Sequence, residues 1–438
     1  MPTVAPRAVT ESTSAKPHPG AKVVLSHSGT GPYVQHAARA LHEAGLLGAY
    51  VTSFHYDRNS ALGKFLRTAL GLVQHDAELQ LSRRAITEVP PELIRGHATP
   101  EIIRMTAARL ASPMTADLVW ERAEKWFDSM VAREHLQGAA AVYSYEFSSL
   151  ATFQAQKQRG GLCIYDMATC HHATAAKWVG EEFDRFTELL TPYEKHRRRL
   201  APLRNSRKDQ ELALADRVVV ASNFVRDSLL STGVAEEKIC VVPTGAPPVD
   251  TSHRHPDPGK FVFLVAGNLS VQKGIHYALA AWRRISAHSC TELWMVGNWK
   301  LPERMREGLP GKVWVSPFVL REKLYELFDR ANVMVFPTLA EGLATTPLQA
   351  MARGLPVITT RNSGCDSFIR PGENGWLVSP RDVDALVAAM EAAIARPADT
   401  EAIGRAAAAS MAQWQWSDYH ATLGRTVLEI LRQGPAAR

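Results

Sequence analysis

The stretch Phe261-Val262-Phe263-Leu264-Val265-Ala266-Gly267-Asn268-Leu269-Ser270-Val271-Gln272-Lys273-Gly274 decides the fold class. Its first six residues are apolar without interruption, which suits a strand buried on both faces of a parallel sheet. The next eight make a loop bounded by glycines. Beyond Gly274, apolar residues recur at Ile275, Leu279, Trp282 and Ile285, the spacing of one helix face. Strand, loop and helix in succession are the repeating unit of a doubly wound sheet.

The unit recurs in both directions. Downstream, strand-sized runs stand at Leu293-Trp294-Met295-Val296, Val313-Trp314-Val315, Val333-Met334-Val335-Phe336, Val357-Ile358-Thr359 and Trp376-Leu377-Val378. A helical pattern between them carries Leu324, Leu327 and Phe328. Upstream, Val23-Val24-Leu25 enters the loop Ser26-His27-Ser28-Gly29-Thr30-Gly31, and Pro32 stands where proline suits a helix start. Further runs follow at Ala141-Val142-Tyr143, Leu162-Cys163-Ile164-Tyr165, Val218-Val219-Val220-Ala221 and Ile239-Cys240-Val241-Val242. Residues 243–259 are rich in Pro, Gly, Asp and His, which signals a linker. The expected layout is α/β with two Rossmann-like domains, at 21–250 and 260–410, joined by a linker at 251–259. An amphipathic helix is expected at 411–438, with Trp414, Trp416, Tyr419, Leu423, Val427 and Leu431 on it. Residues 1–20, rich in Ala, Pro, Ser and Thr, read as a disordered tail.

Of 438 residues, 46% are hydrophobic and 21% charged, an ordinary globular composition that excludes disorder over most of the chain. No run approaches the roughly 20 apolar residues of a membrane-spanning helix. Five widely spaced cysteines fit a reducing compartment and neither a disulfide framework nor a zinc site. The first twenty residues lack an apolar signal-peptide core, so a cytoplasmic location is expected.

The net charge of +6 is local. Lys195, Arg197, Arg198, Arg199, Arg204, Arg207 and Lys208 fall in a segment, 195–208, that contains no acid until after its end. Without them, 43 basic residues face 44 acidic ones. The segment reads either as a solvated helix face or as a surface for anionic lipid, with the protein then peripheral on the membrane. It does not imply nucleic acid.

Ligands of open parallel sheets bind beyond the carboxyl ends of the strands, and three loops occupy such positions. In Glu341-Gly342-Leu343-Ala344-Thr345-Thr346-Pro347, Thr346 is placed to cap a helix, with Pro347 in its first turn and Gln349 completing a capping box. A helix start favours an anion, whereas Glu341 suits sugar hydroxyls. In the loop 267–274, Lys273 is a point charge suited to phosphate. The third loop has Gly29 and Gly31, but Val34 stands where a dinucleotide fingerprint wants a third glycine. A nicotinamide or flavin cofactor is therefore disfavoured. Asp382-Val383-Asp384 follows Ser379-Pro380 and opens a helical pattern, where acids are explained by the helix dipole; no metal is expected.

Three stretches resemble the retaining family 4 glycosyltransferases (glycosyl transferases group 1) of the GT-B fold. They are Val219-Val220-Ala221-Ser222-Asn223-Phe224-Val225, Val241-Val242-Pro243-Thr244-Gly245-Ala246, and the run from Phe336-Pro337-Thr338-Leu339-Ala340-Glu341-Gly342 through Ala350-Met351-Ala352-Arg353-Gly354-Leu355-Pro356-Val357-Ile358. The resemblance implies two domains facing a central cleft, with the C-terminal helix crossing back to the first. It implies transfer of a sugar from a UDP or GDP sugar to an acceptor hydroxyl, with retention and without a metal, in polysaccharide or glycoconjugate synthesis. The acceptor would be a saccharide or a lipid-linked sugar. By the same resemblance Glu341 contacts the donor sugar, and Gln349 stands where the family has a second Glu that holds the ribose. Asn268 replaces a common Arg, leaving Lys273 to face the diphosphate. Leu343 and Ala344 occupy the family's aromatic-glycine positions, their amides and that of Gly342 directed at the donor. Thr345 and Thr346 follow at the phosphates, and Gly29 and Gly31 form the facing loop. A first-domain histidine near the reacting centre corresponds to His171 or His172, of which at most one should point into the cleft. The alternatives are a sugar-nucleotide 2-epimerase of similar fold and an inactive GT-B binding subunit.

Overall fold

The computed structural model describes residues 20–57, 64, 81, 84–286 and 290–434. The expected N-terminal tail lies outside these residues apart from Gly20. Thirteen strands among the described residues build two sheets, and every pairing is parallel. The first contains β1 (Val23–Ser26), β2 (Leu47–Thr52), β3 (Ile94–Gly96), β4 (Ala141–Tyr145), β5 (Leu162–Met167), β6 (Arg217–Val220) and β7 (Ile239–Val241), in the order β3-β2-β1-β4-β5-β6-β7. The second contains β8 (Phe261–Ala266), β9 (Thr291–Val296), β10 (Lys312–Ser316), β11 (Val333–Phe336), β12 (Val357–Thr360) and β13 (Trp376–Val378), in the order β10-β9-β8-β11-β12-β13. The opening run of the sequence is β8, buried at every residue.

Each sheet reverses its winding once, between β1 and β4 and between β8 and β11. Such switch points are where doubly wound sheets open a crevice for ligand. The helices that bear on the site are α1 (Pro32–Glu43), α2 (Pro113–Glu134), α3 (Pro192–Leu214), α4 (Ile275–Ile285), α5 (Thr345–Ala352), α6 (Val383–Ala395) and α7 (Trp416–Gln433). Asp382 is the N-cap of α6, accepting the Ala385 N–H at 2.8 Å, as the dipole argument anticipates.

The chain returns to the first sheet at its end. Tyr419, Leu423, Val427 and Ile430 of α7 are buried in one cluster with Val34, Ala37 and Leu41 of α1 and with Tyr143 and Ile164 of the sheet. Leu423→Ala removes a fully buried side chain there and is expected to cost about 2–5 kcal/mol, read as a lower urea midpoint. The crossing itself is tight. Ala246 bridges to Gln415, the Trp414 indole donates to the Pro243 carbonyl at 3.2 Å, and a Cβ on Gly245 would meet the Trp416 backbone.

Candidate active site

The second switch point is built from the loops after β8 and β11, and backbone contacts lock the two together. Gly274 holds φ +67°, and a Cβ there would overlap the Pro337 carbonyl oxygen. The Gln272 carbonyl accepts from the Leu339 N–H at 2.8 Å and from the Thr338 hydroxyl at 3.0 Å. The Gln272 amide donates to the Ala340 carbonyl at 2.8 Å. Gly274→Ala is expected to cost at least about 1–2 kcal/mol from the left-handed backbone alone, and the overlap adds to it; a thermal melt reads the loss.

These contacts bring Lys273 and Glu341 together. The ammonium lies 2.5 Å from Glu341 Oε1 and 5.0 Å from the centre of the Phe336 ring. The Thr338 hydroxyl also lies 3.1 Å from the same carboxylate oxygen, sharing its one proton between it and the Gln272 carbonyl. Asn268, in the Lys273 loop, is exposed, as is Thr345, while Thr346 and Gln349 are half-buried.

The structure corrects the reading of the helix start. Helix α5 begins at Thr345 with Ala344 as N-cap, and no side chain caps it. Thr346 is thus the second helical residue, not the cap, and the capping box with Gln349 does not form. The Ala344 N–H donates to the Ser363 carbonyl at 2.9 Å, and the Glu341 N–H to the Asn362 carbonyl at 3.0 Å. These bonds turn the chain into the helix early. Pro347 is tolerated as third residue because first-turn N–H groups have no intrahelical partner. The Ala344 amide, expected to face a donor, is engaged by Ser363. The uncapped start leaves first-turn amides and the positive end of the helix dipole available to an anion.

Gly342 stands where the domains meet. A Cβ on it would overlap the Ala168 carbonyl oxygen, and its own carbonyl accepts the Ser222 hydroxyl at 2.5 Å. Ala168 follows β5 and Ser222 follows β6, so the Glu341 loop of one domain rests on the carboxyl ends of two strands of the other.

In the facing loop, the Gly29 N–H donates to Nδ1 of His27 at 2.8 Å, and Gly31 caps α1 without a side-chain bond. His27 Nε2 lies 2.9 Å from the Tyr33 hydroxyl. Burial lowers the His27 pKa to about 4 and keeps the ring neutral. Sequence reasoning did not single out His27, or Asp166 in the otherwise apolar strand β5. The Tyr143 hydroxyl donates to Asp166 at 2.6 Å, and burial raises the Asp166 pKa from 3.8 to about 7. The folded chain therefore keeps this proton to near neutrality, while the unfolded chain loses it near pH 4. Stability from Asp166 is full below about pH 4 and is lost as pH rises towards 7. His27 has the opposite sign: its contribution is present above 6.5 and lost as pH falls towards 4. Asp166→Asn is expected to raise the melting temperature relative to wild type at pH 7.5 and to leave it unchanged at pH 4.

His171 and His172 do not diverge as alternating residues would. They straddle the start of the short helix His172–Ala175, and both rings turn to Asp209 of α3, at 3.4 and 2.6 Å. The Ala173 N–H donates to His171 Nδ1 at 3.2 Å, so the His171 proton sits on Nε2, facing Asp209. Burial and the neighbouring His172 lower the His171 pKa. An imidazole that accepts at Nδ1 and donates at Nε2 is neutral, so His171 meets Asp209 as a hydrogen-bond donor. Asp209, 37 residues away in sequence, carried no signal of its own.

Residues 260–396 match the family model described as Glycosyl transferases group 1, and residues 124–250 match that of Glycosyltransferase Family 4. The chain belongs to the family 4 glycosyltransferases. Its two sheets are the two halves of the GT-B fold. A sucrose-phosphate synthase from Thermosynechococcus elongatus superposes with a TM-score of 0.63 at 19% identity, covering 93% of this chain and 98% of that one. Anabaena HepE, solved in complex with UDP-glucose, superposes with a TM-score of 0.58 at 14% identity, covering 93% and 100%. By sequence, the MMP alpha-(1->4)-mannosyltransferase of Mycolicibacterium hassiacum is 29% identical over 211 residues, 45% of this chain and 50% of the relative. The chain spans about half the length of the curated relatives it matches.

The basic segment of this family 4 chain is not the open patch its sequence suggests. Arg204 pairs with Asp117 at 2.6 Å and Glu121 at 3.0 Å, and Arg207 with Asp128 at 2.5 Å. Lys208 pairs with Glu146 at 3.1 Å and Arg198 with Asp184 at 2.8 Å. Arg197 lies 3.8 Å from Glu194. Arg207 also pairs with Glu211 of α3 at 3.3 Å, but Asp117, Glu121 and Asp128 come from α2, about eighty residues earlier, where a window on the sequence cannot see them. Lys195 and Arg199 have no ion-pair partner among the described residues. With Leu203, which is 76% exposed, they recur every four residues on one face of α3.

Proposed function

We propose that this protein is a retaining glycosyltransferase that moves a sugar from a nucleoside-diphosphate sugar to a saccharide or lipid-linked hydroxyl, in polysaccharide or glycoconjugate assembly. The observation that carries this reading is the Lys273–Glu341 pair, set by two loops flanking a switch point beside the uncapped start of α5. An ammonium and free helix amides suit a diphosphate. A carboxylate held by Thr338 suits sugar hydroxyls once the ammonium has turned to the phosphate.

The reaction then follows from charge. The bond from anomeric carbon to β-phosphate oxygen breaks with oxocarbenium character. Lys273 and the α5 amides stabilise the departing diphosphate. The acceptor oxygen bonds the anomeric carbon from the same face, and its proton passes to the leaving phosphate. Closure of the cleft aligns the two substrates and excludes water. His171 or His172 would contact the acceptor side. No step uses a metal, so turnover in EDTA should equal turnover in magnesium.

A panel of labelled UDP and GDP sugars, with and without saccharide and lipid-linked acceptors, tests the reading. Acceptor-dependent release of nucleoside diphosphate supports it. Interconversion of donor without acceptor means an epimerase, and binding without turnover means an inactive subunit.

A peripheral contact with anionic membrane belongs to the same proposal, narrowed to the Lys195–Arg199–Leu203 stripe. No helix among the described residues is long and apolar enough to cross a membrane. Each cation near an anionic surface adds about 1 kcal/mol. Reversing Lys195 and Arg199 to Glu should therefore weaken sedimentation with phosphatidylglycerol vesicles more than tenfold. Unchanged sedimentation would remove the stripe as anchor.

A further inference from the structure

After β5 the chain leaves the first domain and crosses to the second. Residues 172–190 form two short helices around a π-helical stretch, Ala176–Gly180. Phe183 and Leu189 of this strap are buried in the same cluster as Leu279, Trp282 and Ile285 of α4.

At the centre of the strap is Glu182, whose exposure is 0%. Its Oε2 accepts from His276 Nε2 at 2.8 Å and from the Tyr277 hydroxyl at 2.7 Å. Its Oε1 faces Arg381 Nε at 2.6 Å and Arg185 Nη1 at 3.1 Å. Three of these four partners, His276, Tyr277 and the ion-paired Arg381, belong to the second domain. Arg381 also donates to the Lys177 carbonyl at 2.8 Å and lies over the Trp178 ring at 5.0 Å. It does so at φ +69°, a left-handed conformation that a non-glycine residue keeps only where surroundings enforce it.

A buried carboxylate is costly unless paired, so the strap cannot lift from the second domain without leaving Glu182 or its donors unsatisfied. His276 and Tyr277 are in the first turn of α4, and Lys273 is two residues before that helix. The α4 N-cap, Gly274, offers no side chain to fix the turn. Glu182 supplies what is missing: two hydrogen bonds and a negative charge at the positive end of the helix.

We propose that Glu182 is a positioning residue for the donor diphosphate. Through His276 and Tyr277 it fixes the first turn of α4, and with it Lys273, and so ties the phosphate-binding charge to a segment contributed by the acceptor half. The role assigned to Lys273 rests on the proposed function; the attachment of the strap does not.

The test uses the full chain with Tyr277→Phe, which deletes one bond and keeps the ring, and Glu182→Gln, which keeps the side-chain volume. Hydrogen exchange and calorimetric titration with UDP, UMP, GDP and GMP are measured. Loss of one hydrogen bond to the carboxylate should speed exchange in 176–185 and 275–279 about tenfold. Affinity for the preferred diphosphate should fall by a similar factor in both variants, while affinity for its monophosphate stays unchanged. A variant that merely loosens the fold would weaken both nucleotides alike, which overturns the proposal, as does unchanged exchange. Lys273→Ala is the reference. If it leaves the diphosphate-to-monophosphate ratio unaltered, the site assignment fails; if it alters the ratio and Tyr277→Phe does not, the inference about Glu182 fails.

Discussion

Lys273→Ala is expected to lower sugar transfer by about 10²–10³-fold, the usual effect of removing one preorganised group aimed at developing charge. The diphosphate gains charge as the anomeric bond breaks, and Asn268 cannot supply a second cation in this loop. Arginine is not an equivalent replacement, since its planar fork demands a geometry that the compact ammonium does not. The pair with Glu341 sharpens the expectation. The ammonium is held at 2.5 Å by that carboxylate, so a donor must win it away. Glu341→Gln removes the competitor together with a bond to the sugar. It should therefore bind free nucleoside diphosphate more tightly than wild type while turning over more slowly. Weaker binding of UDP and GDP by Glu341→Gln would contradict this account of the pair.

Gly342→Val is expected to cut kcat by about 10²-fold, the effect of a misplacement near 1 Å, with little change in melting temperature. A side chain at this position meets the Ala168 carbonyl of the facing domain and keeps the Ser222 hydroxyl from the Gly342 carbonyl. The two halves then cannot close as they do here. Nucleoside diphosphate should still bind, because Lys273 and the α5 start lie on the second domain and the Glu182 strap stays docked to it. A rise in radius of gyration with nucleotide affinity retained is the expected combination. Full activity would show that closure does not pass through this contact.

The second domain was legible in the sequence because its central strands β8 and β11 are doubly buried and continuously apolar, and its part-buried edge run at 376–378 is apolar too. The runs at 261–266, 333–336 and 376–378 all became strands of the second sheet. β2 and β3 were not visible. Leu47-Gly48-Ala49 hides the start of β2, although its second half, Tyr50-Val51-Thr52, carries the aromatic and β-branched residues that mark strands, and Ile94–Gly96 is a three-residue edge. The loops of the candidate site were legible because glycine and proline punctuate them. The error at Thr346 arose from a real local pattern overruled by Ser363, a tertiary partner that fixes the turn. Asp209 and Glu182 had no local signature at all. Their importance comes from histidines and tyrosines brought to them by the chain crossing between layers and domains. The basic segment failed in the same way: its charge was counted along one helix, while Asp117, Glu121, Asp128, Glu146 and Asp184 reach it from other elements.

The measurement closest to the central claim is acceptor-dependent release of nucleoside diphosphate from UDP or GDP sugars by wild type and Lys273→Ala side by side. The account predicts release by wild type only when acceptor is present, a glycoside with the donor's anomeric configuration, and a loss of about 10²–10³-fold in the variant. Equal rates in the two proteins would contradict it.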